Sequence, residues 1–151
     1  MAPNLIVIFI VWIVGFGILS LKLKEKIAKI FLGSKLPRLV NYCIIIMPLV
    51  LIEEFLTCEI GFLLCVAFIV PAFYLFFLIL YFIQKTAKLD YFRAAVVFAV
   101  MGWVNEFLIV GRLFYYDLFT NIVAGIFALL IYGVLAIVPS YYLQKSLENS
   151  K

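Results

Sequence analysis

The groups in this chain with the most chemical scope are carboxylates. Glu53, Glu54 and Glu59 fall within "LIEEFLTCE" (51–59), and Glu106 falls within "VNEFL" (104–108). Carboxyl groups alone can donate or accept a proton, or stabilise a cation, when their surroundings move them away from their behaviour in water. The sequence contains no histidine, so the commonest metal ligand and the commonest neutral-pH acid–base group are both missing. Cys43, Cys58 and Cys65 form no Cys-x-x-Cys pair. If Cys58 and Cys65 shared one helix they would lie about 10 Å apart along its axis, too far for a disulfide. No phosphate loop, dinucleotide fingerprint or G-x-S-x-G elbow occurs, so neither a cofactor nor a metal is expected.

Composition decides what must hold these acids. Of 151 residues, 68% are hydrophobic and 13% charged, and the mean hydropathy is +1.26. These values belong to an integral membrane protein, and the apolar runs lack the alternation of a membrane barrel. The expectation is all-α: a polytopic bundle forming a single transmembrane helical domain over 1–151. Five spans, at about 4–21, 37–53, 60–83, 94–114 and 121–143, account for the apolar sequence. The first is read as a retained span, because neither a basic leader nor a small-x-small cleavage site accompanies it.

Charge placement orients the bundle. The first connection, "KLKEKIAKIFLGSKLPR", the third, "QKTAKLDYFR", and the carboxyl-terminal tail together carry eleven of the twelve basic residues. By the positive-inside rule these segments are cytoplasmic, which puts the amino terminus outside and the carboxyl terminus inside, in a cell membrane. Residues 39–83 as one helix would span about 68 Å, more than a bilayer accepts, so that run must break near its middle. The charged residues there are Glu53, Glu54 and Glu59, and the economical reading is an outer acidic turn. The turn lacks Gly, Pro, Asn or Ser before Gly61, so a second reading stays open in which the helices run on and carry the acids into the bundle.

Glu106 has no such turn to explain it. It lies about 18 Å along the fourth span from its cytoplasmic end. Ala95, Ala99, Gly102 and Glu106 share one helical face, a seam of small side chains that should meet another helix. In the fifth span Asn121, Ala124, Gly125, Ala128, Tyr132, Ala136 and Pro139 form a matching stripe. An antiparallel hairpin through "YYDLFT" would bring Tyr132 within hydrogen-bonding reach of Glu106. Asn105 points about 100° from Glu106 on an ideal helix. Arg112, the single basic residue off the cytoplasmic side, is expected to pair near the outer interface with Asp117 or with the acids of 53–59. "IEEFL" and "VNEFL" echo one another, aligning Glu54 with Glu106. Tyr74 and Tyr81, at i,i+7, read as packing, and Pro48, Pro71 and Pro139 fall inside predicted helices.

Two short patches resemble known membrane families. "IEEFL" resembles the acidic motif of bacterial and archaeal lycopene-cyclase-type membrane domains, although the proline usual two residues before their Glu-Glu pair is here Pro48, five before Glu53. "NEFLIVGR" resembles the Glu-Glu-x-x-x-Arg motif of CAAX-type intramembrane proteases, with Asn105 in place of the first acid, a different spacing to Arg112 and no histidines. Each patch covers a few residues and assigns no family.

The function favoured at this level is a small multi-pass protein without catalysis of its own, associating with itself or another membrane protein through the seam of spans four and five. The alternative is a cofactor-independent enzyme on a lipid or isoprenoid, with Glu106 as general acid and Glu53 or Glu54 as electrostatic stabiliser. A third is a proton- or ion-coupled carrier. Arg112, Asn105, Tyr132 and Asn121 are the candidate binding residues. The bilayer is the expected partner and nucleic acid is not. The basic connection 22–38 reads either as a plain cytoplasmic loop or as an interfacial helix on anionic lipid, with Leu23, Ile27, Ile30 and Phe31 on one face and Gly33 as its stop.

Overall fold

A computed structural model describes residues 9–57, 62–109 and 117–150. The fold is all-α, 91% helical over those residues, with five helices. A π-helical segment, Phe9–Phe16, leads into α1 (Gly17–Leu32); α2 is Arg38–Thr57, α3 Phe62–Ala87, α4 Tyr91–Val104 and α5 Leu118–Glu148. A π-helical turn, Asn105–Ile109, continues α4. Ile69–Ala87, Tyr91–Leu108 and Leu118–Glu148 are long and apolar enough to cross a membrane.

Local signals set the helix ends. Asp90 and Asp117 cap α4 and α5, accepting from the backbone N–H groups of Arg93 at 2.9 Å and Thr120 at 3.0 Å. The Thr120 hydroxyl, 2.6 Å from Asp117, and the capped N–H hold the Asp117 carboxyl below the usual aspartate range. Lys88, at φ 51°, takes the left-handed conformation that turns the chain out of α3.

Two boundaries differ from expectation for the same reason. No Gly or Pro interrupts residues 18–32, so α1 continues through the lysine-rich segment, and residues 22–32 of the basic connection are helical and continuous with the span before them. Its expected apolar face is divided: Ile27 and Phe31 pack on the core while Ile30 is 63% exposed. Gly33 is the stop: its N–H donates to the Lys29 carbonyl, and the Ser34 N–H donates to the Phe31 carbonyl. Likewise α2 runs past residue 53 to Thr57, so Glu53 and Glu54 are helical residues and not the start of a turn. Glu59, Cys58 and Arg112 lie outside the described residues.

The fifth helix touches all the others. Its Val134 meets Gly17 of α1, its Ser146 carbonyl accepts from Arg38 of α2 at 3.1 Å, and its Ser140 carbonyl accepts from Gln84 of α3 at 2.9 Å. Against α4 the approach is closest. A Cβ at Gly102 would fall among the ring atoms of Tyr132, and one at Gly125 would sit 2.8 Å from Trp103 Nε1. Ala95, Ala99 and Gly102 are all buried, as the small-residue seam requires. Large apolar side chains such as Ile18, Met47, Phe55, Leu75 and Val100 face outward, an exterior suited to lipid.

The ends carrying basic residues come together. Lys24 of α1 donates to the Tyr91 hydroxyl at the start of α4, and the Tyr91 N–H donates to Gln144 of α5. Helix direction therefore alternates along the chain. Gly102→Ala should destabilise the fold by about 1–3 kcal/mol through overpacking against Tyr132. Thermal unfolding in detergent measures this, and an unchanged midpoint would refute the close approach.

Candidate functional site

Glu106 is the second residue of the π-helical turn. Such a turn adds a residue to the helical repeat, so faces counted at 100° per residue no longer hold beyond Asn105. Asn105 and Glu106 both line the same cavity. The Tyr132 hydroxyl donates to Glu106 Oε1 at 2.9 Å, so the two seams meet as their faces suggested. Two rings aim that hydroxyl. Phe73 stacks on Tyr132 with centroids 5.6 Å apart, and Phe98 meets it edge-on at 6.1 Å.

The cavity encloses about 50 Å³, with walls that include Phe73, Phe76, Phe98 and Tyr132 and with Glu106 and Asn105 as its polar groups. That exceeds the ~15 Å³ needed by one water but holds only a short stretch of a larger ligand. On one side the enclosure is incomplete. Ala72 is exposed and Ile69, Phe76 and Asn105 are half-buried, so the cleft opens on the flank of the bundle between α3 and α4.

Glu53 and Glu54 are 7% and 3% exposed. The sequence favoured an outer turn bordering water; continuous α2 instead withdraws both acids from solvent. Their side chains are hydrogen-bonded to each other, and Glu54 lies within electrostatic range of Glu106. A carboxyl of α2 and one of the π-helical turn after α4 thus lie within electrostatic range of each other. Among the described residues, no group of three His, Cys, Asp or Glu side chains is placed to hold a metal ion.

The remaining sequence candidates fall elsewhere. Asn121 is half-buried in the first turn of α5, roughly 16 Å along the helix from Tyr132, and does not line the cavity. Tyr74 donates to the Cys43 carbonyl at 3.1 Å, and Tyr81 packs on Tyr42 at 5.2 Å. Reading from sequence missed the phenylalanine walls. The spacing of Phe73, Phe76 and Phe77 marks one face of α3, but such a stripe is ordinary in lipid-facing or core helices.

Tyr132→Phe keeps the ring stacking and removes the donor to Glu106. It should cost roughly 1 kcal/mol. A thermal or denaturant midpoint in detergent tests this, and a neutral result would mean the bond contributes nothing to the helix pair. No known protein family, curated protein or solved structure matches the chain.

Proposed function

We propose that this chain is a five-span protein of the cell membrane, with its amino terminus outside and its carboxyl terminus in the cytoplasm, that binds an unsaturated lipid or isoprenoid chain in the Glu106 cleft and transfers a proton to it without a cofactor. The observation that carries this reading is a carboxyl group set among aromatic walls in a cleft opening on the apolar flank of the bundle. From that side a hydrocarbon chain enters more readily than an aqueous ion. The seam of α4 and α5, offered by the sequence for association with a partner, is covered by the chain's own packing. This leaves the cleft as the feature needing a role.

The chemistry balances within the chain's own groups. The Glu106 O–H proton adds to one alkene carbon, the π electron pair forms the new C–H bond, and the neighbouring carbon becomes cationic. Ring faces of Phe73, Phe98 and Tyr132, with the negative charge left on Glu106 and the nearby Glu54, stabilise that cation. A proton lost from an adjacent carbon to a carboxylate restores a double bond. The net change is isomerisation or ring closure, with no oxidant or reductant consumed. Tyr132 positions Glu106 by its hydrogen bond.

A second reading, a non-catalytic assembly protein, is favoured by that same bond, which suffices to lock a helix pair. Purified protein incubated in D₂O with squalene-containing vesicles separates the two. The enzyme reading expects deuterium in the recovered hydrocarbon and a loss of roughly 10²–10⁴-fold in Glu106→Gln, with folding retained. Absence of label in the parent would favour the assembly reading. For the topology, Lys26→Cys and Lys145→Cys in a cysteine-free chain should react with an impermeant reagent only from the cytoplasmic side; labelling from outside would reverse the orientation.

A further inference from the structure

At the basic end of the bundle a second groove, of about 440 Å³, lies between α1 and the last turns of α5, lined by Glu25, Lys29, Gly33, Tyr141, Lys145 and Asn149. Its charges are mixed. Lys29 and Lys145 share the lining with one acid, Glu25, Glu148 sits 2.7 Å from Lys145, and Lys24 stands beside the Tyr141 wall, so both signs are present with cations in slight excess. Glu25 and Lys29 have the i,i+4 spacing and order that favour an intrahelical pair, yet they form none and both are exposed. Tyr141, a wall of the groove, has two cations by its ring, with Lys24 Nζ 5.1 Å and Lys145 Nζ 5.8 Å from its centroid.

The surroundings are amphipathic along α1. Ile18 and Leu21, each 49% exposed, lie seven and four residues before Glu25 on the same helical face. Beyond exposed Lys22 on that face, Ile18 and Leu21 therefore form a short apolar strip toward the bundle's middle, where hydrocarbon would be. Opposite charges at the end of an apolar strip match a lipid whose headgroup carries both signs.

We propose that this groove binds the headgroup of a phosphatidylethanolamine-type phospholipid, with Lys29 and Lys145 on the phosphate, Glu25 on the primary ammonium, and the acyl chains along Ile18 and Leu21. A purely anionic headgroup would leave Glu25 facing a like charge. A choline headgroup carries no N–H donor for the carboxylate, so it loses the charge-assisted hydrogen bond. The inference is independent of the Glu106 cleft.

Native mass spectrometry of the detergent-purified chain, titrated with dioctanoyl phosphatidylethanolamine, phosphatidylcholine and phosphatidylglycerol, tests it. The ethanolamine lipid should bind most tightly. Glu25→Gln should weaken that lipid roughly two- to fivefold, to the level of the choline lipid, which itself is unchanged. Lys29→Gln should weaken both zwitterionic lipids. Both positions are exposed, and unchanged thermal midpoints without lipid would verify that the variants fold. Phosphatidylglycerol binding as tightly as the ethanolamine lipid would overturn the proposal. So would an ethanolamine preference that survives Glu25→Gln, or equal binding of phosphoethanolamine without acyl chains.

Discussion

The close approach of α4 to α5 is the constraint on which the rest of the bundle depends. Gly102 leaves room for the Tyr132 ring to lie directly against the α4 backbone, and Gly125 does the same for Trp103 on the other side of the pair. In a lipid-like setting no hydrophobic force drives two helices together, so contact at this range relies on small residues and dispersion. Once the ring is seated, its hydroxyl reaches the carboxyl one turn further along α4. A larger residue at 102 would separate the helices and remove both the wall and the hydrogen bond of the site.

That arrangement also keeps an acid inside an apolar bundle. Glu106 gains a phenolic donor, and Glu53 and Glu54 gain each other. Hydrogen bonding offsets part of the cost of withdrawing carboxyls from water. The opposite end of the bundle follows a different logic, with long cationic side chains lying over tyrosine rings at the edge.

Particular residues show where sequence reasoning reached and where it stopped. The seam of Ala95, Ala99 and Gly102 and its partner stripe through Gly125 and Tyr132 were legible, because helical periodicity projects directly onto a face. Asn105, a binding candidate from sequence, lines the cavity beside Glu106 although an ideal helix sets the two about 100° apart. The outer-turn reading of Glu53 and Glu54 rests on the length of the 39–83 run and on charge, whereas α2 runs on to Thr57 and carries both acids, as the second reading allows. Charge says that an acid needs water or a partner, and here Glu53 and Glu54 partner one another on the same helix.

Composition and periodicity by themselves determined an all-helical chain suited to a membrane, the gathering of its basic residues toward one end, and the small-residue faces available for packing. These are local properties, set by hydropathy and by the geometry of a single helix. Only the tertiary structure decided which aromatic rings surround Glu106, that Glu54 comes within range of its charge, and that the cleft opens on the flank. Those outcomes depend on the rotation and depth of several helices relative to one another, which follow from side-chain interlocking summed over the whole bundle and have no signature in any one segment.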